Sequence, residues 1–231
     1  MALKRSGPAT DYEEIDRWDD GVGWIAYPDE TMRRASHALA TGGDDDEESA
    51  VWLIDPVDAP EIDDLFAELG DVAGVVVLLN RHYRDADEIA RRHGVPVYVP
   101  SWFDTVPAMD AELRRLDGRV PGTDYRLFEV FDRFGWEEAA LYDETGGTLV
   151  VPEAVGNAPY FTTGRERLGV HPMLRAIPPS ALRGLRPERV LVGHGSGVLS
   201  GGDRALADAL DGSRRRMPKL YAQSLRMLLR G

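Results

Sequence analysis

The chain has no cysteine, only two lysines (Lys4 and Lys219), and no apolar run near the length of a membrane span. Without cysteine there is neither a disulfide nor a thiolate ligand, so any metal site must be built from His, Asp, Glu or backbone oxygen. Crossing a bilayer takes about 20 consecutive apolar residues, and the N-terminal residues lack the apolar core of a signal peptide, so the expectation is a cytoplasmic protein. Basic charge is also scarce: 27 Lys and Arg stand against 40 Asp and Glu, a net charge of −13. That balance argues against nucleic acid or an anionic membrane as the main partner. A self-repelling, lysine-poor surface suits a salt-rich cytoplasm of the halophile type, because molar salt screens charge over about 3 Å.

What is present describes a globular protein. With 231 residues, 43% hydrophobic and 29% charged, the chain can bury one substantial core. Residues 1–20 are polar and read as a loose tail, leaving residues 21–231 as a single domain. Runs rich in β-branched and aromatic residues predict strands at 23–27, 32–40, 50–55, 74–79, 95–99, 125–131, 138–142, 148–151 and 189–192. Helical patterns fall at 59–68, 85–93, 111–116 and 203–210, with a last amphipathic helix over 218–229. The acidic run 42–49 reads as a solvated hairpin tip, since it lacks the ligand spacing of a calcium loop. Strand and helix alternate from Pro56 onward, which predicts an α/β fold with a parallel sheet segment.

The most informative stretch is 74–86, where Val75-Val76-Val77-Leu78-Leu79 breaks into Asn80-Arg81-His82-Tyr83-Arg84-Asp85. A buried strand that ends in imidazole, phenol, guanidinium and carboxylate groups marks a candidate site, because the loop at its end is rigidly held yet open to solvent. Other titratable residues read more plainly. His37 lies within a strand and His93 ends a helix beside Gly94, both structural positions. His171, in Gly169-Val170-His171-Pro172, is a candidate wall residue. Gly193-His194-Gly195-Ser196-Gly197 between strand and helix admits a phosphate cradle, but without a Gly-Lys-Ser/Thr ending. Ser196 is no nucleophile elbow, since His194 stands where that motif needs glycine. Arg214-Arg215-Arg216 fits a solvated helix start or a salt bridge better than a nucleic-acid site.

Taken in order, these parts resemble the metallo-β-lactamase superfamily over residues 22–210. The family has a strand ending in Asp, as in Leu53-Ile54-Asp55-Pro56, and then an apolar strand running into Thr-His-x-His-x-Asp-His. A Pro-Gly-His turn, a Gly-Asp after a strand and a late Gly-His follow. The resemblance implies a four-layered αββα sandwich and a hydrolase whose metal ions activate water. Aligning Asp85 with the motif aspartate, however, places Arg81 and Tyr83 on the first two histidines and Ala86 on the last, with His82 between them. Trp136 falls on the third histidine and Glu153 on the bridging aspartate.

The resemblance therefore leaves Asp85, Glu153 and His194 as metal ligands, with Tyr83 or Arg81 to stabilise a developing anion and Glu153 as ligand or general base. Losing a group that merely orients a ligand costs about 10- to 100-fold in metal affinity, so losing four ligating imidazoles excludes an ordinary dinuclear zinc site. A guanidinium about 4 Å from a divalent ion opposes it by about 8 kcal/mol at an effective dielectric near 20. A single divalent metal remains open. So does its replacement, in which Arg81 or Arg84 pairs with Asp85, Glu153 and Asp55. The expected function is hydrolysis of an ester, thioester or phosphoester, or else a binding or partner protein using the same pocket without metal. In either case the partner is a small molecule, and the pattern leaves a homo-oligomer open.

Overall fold

The structure is a computed structural model and describes residues 4–41 and 49–228, with the side chains of the last two excepted. Its larger sheet has seven strands in sequence order: β1 (Glu13–Trp18), β2 (Gly21–Ile25), β3 (Ala35–Thr41), β4 (Ala50–Ile54), β5 (Asp71–Val76), β6 (Val97–Pro100) and β7 (Leu113–Leu116). Pairing is antiparallel from β1 to β4 and parallel from β4 to β7. A smaller sheet runs β13 (Arg189–Val192), β10 (Thr148–Val151), β9 (Trp136–Asp143), β8 (Arg126–Arg133), and β11 (Val155–Gly156) pairs with β12 (Gly169–Val170). The helices are α1 (Ile62–Phe66), α2 (Ala86–His93) and α3 (Gly202–Leu228).

Period-two alternation sorts the apolar side chains into three interlayer cores. On β4 and β5, Val51, Leu53 and Val75 face α1 and α2 and pack with Ile62, Phe66 and Ile89. Their neighbours Trp52, Ile54 and Val76 point the other way, onto Leu141, Val150 and Leu191 of the small sheet. The opposite face of that sheet, with Leu149, Val151, Val190 and Val192, packs on Leu206, Ala209 and Leu210 of α3. Helices, sheet, sheet and helix thus form the αββα sandwich.

Three local expectations change. The polar tail contains β1, because Ile15 buries against Ile25 and Ala35 while Glu13, Glu14 and Arg17 stay in solvent. Residues 113–116 form the parallel edge strand β7 instead of a helix: ladder pairing to β6 outweighs the helix preference of Glu112, Leu113 and Arg114. The two C-terminal helices are one, and Pro218 lies inside it. Residues 42–48 of the acidic hairpin tip lie outside the described residues.

One crossing positions the site. After Val76 the chain leaves the large sheet and joins β9, with Ala139 N–H donating to Leu78 O (2.8 Å) and Asn80 N–H to Glu137 O (3.1 Å). Residues 80–85 therefore emerge where the ends of both sheets meet.

Candidate functional site

Four strand ends converge here. Asp55 follows β4 and is fixed by Leu78 N–H, which donates to its Oδ1 at 2.8 Å. The other oxygen, Oδ2, lies 3.0 Å from His82 Nδ1. Burial pushes the Asp55 carboxyl up to about 6, against the pull of Arg84, so at neutral pH it is an acceptor and His82 carries its proton on Nδ1. His194, beyond β13, places Nδ1 at 2.9 Å from Met32 O. A carbonyl only accepts, so this imidazole is also protonated on Nδ1. Its Nε2 is buried with no hydrogen-bond partner.

Glu153 follows β10. Its backbone N–H and that of Ala154 donate to Glu138 Oε1 at 2.8 and 2.7 Å, and Trp136 Nε1 donates to Glu138 Oε2 at 2.8 Å. Burial drives Glu138 up to about 8. The Glu153 carboxylate meets Arg81 Nη2 at 3.2 Å and His171 Nε2 at 3.6 Å. His171 Nδ1 accepts from Met173 N–H at 3.3 Å, which leaves its proton on Nε2, facing Glu153. His82, Glu153 and His194 are all buried and offer ligand atoms within 4.8 Å of one another.

Two arginines complete the arrangement. Arg84 Nη1 donates to Ala35 O (2.6 Å) and Asp55 O (2.7 Å), and Nη2 to Gly193 O (3.3 Å). One guanidinium thus ties together the ends of β3, β4 and β13, and its Nη2 lies 3.3 and 3.5 Å from the two His82 nitrogens. Burial lowers Arg84 to about 10, still a cation at neutral pH. Burial first, then the nearby guanidiniums, holds His82 well below the ordinary histidine range. His194 is held down by burial, by His82 and by Arg84. Both rings are therefore neutral, the form in which imidazole ligates metal.

The sequence-predicted residues divide. Glu153, His194 and Arg81 come together. Asp85 does not join them: its Oδ2 accepts from Asp58 N–H at 2.8 Å, at the start of α2. Tyr83 turns toward the helical layer and donates to Thr105 O at 3.0 Å. His82 instead stands with Glu153 and His194, in a loop where the chain crosses to β9 and Arg84 takes φ 44°. His37 is buried 3.4 Å from Asp16, and His93 lies 3.3 Å from Asp63. The phosphate cradle at 193–197 is closed, since its amides donate to Val151 O, Arg33 O and Asp16 Oδ2. In the basic cluster, Arg214 donates to Ala176 O and Arg216 to Asp208 and Glu166.

The donor set fits one divalent ion. His194 with a free Nε2, His82 whose Nε2 lies 3.5 Å from Arg84 Nη2, and the Glu153 carboxylate paired with Arg81 make a His₂Glu set, and each imidazole is oriented through Nδ1 by an acceptor, as ligating histidines are. Three donors do not supply a second ion.

No family model matches the chain, and no curated protein matches it in sequence. Solved structures do match in shape. DIM-1 metallo-β-lactamase exposed to ceftazidime is 10% identical with a TM-score of 0.59, over 90% of this chain and 99% of that one. TTHA1623 in a di-iron-bound form is 20% identical with a TM-score of 0.53, over 75% and 93%. A β-lactamase domain protein from Burkholderia ambifaria is 17% identical with a TM-score of 0.54, over 79% and 70%. The chain has the metallo-β-lactamase fold. Among the described residues, no helix is long and apolar enough to cross a membrane.

Proposed function

We propose that this protein is a hydrolase of an ester, thioester or phosphoester that works with one divalent metal held by His82, Glu153 and His194. The observation that carries this reading is the buried, unpartnered Nε2 of His194, since a buried acceptor without a partner costs about 1–3 kcal/mol and a ligand removes that cost. A divalent ion at such a site polarises the scissile group and acidifies a water toward neutral pH. The chain's own residues do the rest. Asp55 and Met32 O fix the two imidazoles, and His171 and Arg81 orient the Glu153 carboxylate. Arg81, half exposed, offers further N–H donors where negative charge develops.

A second reading is a binding protein that uses the same pocket without metal. The Arg81–Glu153 pair favours it, because a permanent cation already neutralises one ligand. Hydrolysis of a panel of carboxylic, thio- and phosphoesters by protein loaded with zinc, manganese or iron separates the two. Turnover lost on His194→Ala supports the hydrolase; protein that takes up no metal and turns over none of the panel supports the binding role.

A further inference from the structure

The Arg81 guanidinium is presented on a rigid shelf. Its Cζ sits over the Trp136 ring, 4.6 Å from the centroid. Trp136 is buried, edge-on to His171 at 4.9 Å, packed on Phe131 at 5.3 Å and tied through Nε1 to Glu138. Among the described residues, Arg81 uses only Nη2, toward Glu153 at 3.2 Å. Its side chain is 50% exposed, and Nη1 and Nε make no hydrogen bond among the described residues. On the neighbouring wall, Tyr160 stands edge-on to His171 and His194 (centroids 6.5 and 5.9 Å), and its buried hydroxyl has no partner.

Charge points the same way. Arg81 and Arg84 stand among the Asp55 and Glu153 carboxylates, with Arg81 paired to Glu153 at 3.2 Å. On the metal-site reading above, on which this step rests, a divalent ion makes the cluster strongly positive inside a chain of net charge −13. A neutral substrate leaves that charge uncompensated in a partly desolvated site, whereas an oxyanion satisfies it.

We infer that the substrate is an anion whose phosphate or carboxylate oxygens dock on the free edge of the Arg81 guanidinium, making Arg81 the specificity-determining residue of the site. The Trp136 shelf holds the planar fork ready for a bidentate contact, which lysine cannot reproduce.

The test titrates inorganic phosphate and, separately, acetate into the full chain, with and without zinc, following heat and Trp emission. Wild type is compared with Arg81→Ala, Arg81→Lys, Tyr160→Phe and, as a remote control, the exposed Arg126→Ala. Circular dichroism checks the fold, and metal content is measured on the same samples. The expected result is at least a tenfold loss of anion affinity in Arg81→Ala, a smaller loss in Arg81→Lys, and none in Arg126→Ala; Tyr160→Phe reports whether the buried hydroxyl takes part. Preference for phosphate assigns a phosphoester; preference for acetate with the same Arg81 dependence assigns a carboxylate-bearing substrate. Folded Arg81→Ala that binds both anions as wild type does overturns the inference while leaving a bound metal, and the hydrolase, intact. Arg81-dependent binding by protein that takes up no metal sinks the hydrolase reading and leaves the anion site standing.

Discussion

Asp55 Oδ2 and His82 Nδ1 lie 3.0 Å apart, and this one contact decides which nitrogen of His82 faces Glu153 and His194. Asp55→Asn retains an oxygen for Leu78 N–H but offers His82 an amide donor. The imidazole proton then moves to Nε2 and the lone pair leaves the cluster. The expected outcome is a zinc affinity lower by about 10- to 100-fold with the fold retained, measured by competition against a chromophoric chelator. Unchanged affinity would remove His82 from the ligand set.

Arg84 is the mechanical centre of the site. Removing its guanidinium takes a donor from the carbonyls of Ala35, Asp55 and Gly193; Asp55 O keeps Ser36 Oγ (3.0 Å) and Gly193 O keeps Ala35 N–H (2.9 Å), while Ala35 O loses its side-chain partner. Arg84→Met is expected to cost about 1–3 kcal/mol, read as a lower denaturation midpoint at unchanged slope. A loss under about 0.5 kcal/mol, typical of plain surface positions, would show that the three strand ends hold themselves together.

Sequence pattern made the layers legible and the site only in part. Alternation in Val75-Val76-Val77-Leu78 and Leu149-Val150-Val151 names the faces that pack on opposite neighbours. β7 was hidden because Glu112, Leu113 and Arg114 favour a helix in isolation, and only the edge of β6 makes them a strand. Glu153 and His194 follow short apolar strands and could be found by register. His82 could not: counting from the family motif assigns it no role, and its place depends on a chain crossing between sheets and a positive φ at Arg84. Neither leaves a periodic trace.

Pro218 concealed the continuity of α3. An exposed proline inside a helix removes one backbone hydrogen bond and crowds the preceding turn. Pro218→Ala is expected to stabilise the helix by up to about 3 kcal/mol, seen as slower amide exchange on both sides of position 218. Faster exchange would mean that the proline is needed to seat the buried Leu220.

Glu30 gives the fold an acid-sensitive anchor. Burial pushes its carboxyl upward, but Arg34 and the backbone N–H groups of Arg5 and Arg34 outweigh that and hold it below the ordinary glutamate value. A depressed folded pKa contributes stability that is present above the unfolded value, about 4.3, and is lost as pH falls through the folded one. The stability gap between wild type and Glu30→Gln is therefore expected to be full at neutral pH and to close in that acid window, as measured by urea unfolding at a series of pH values. A gap that persists unchanged to pH 2 would contradict the assignment.

The central claim is that His82, Glu153 and His194 hold a single ion, and metal stoichiometry tests it most directly. Elemental mass spectrometry is run on untagged protein, dialysed in high salt against metal-loaded and then metal-free buffer. The account predicts about one zinc, manganese or iron per chain, lost in His194→Ala and in His82→Ala and retained in Asp85→Ala. No metal in the wild type, or two ions per chain, or loss on Asp85→Ala with retention on His82→Ala, would contradict it.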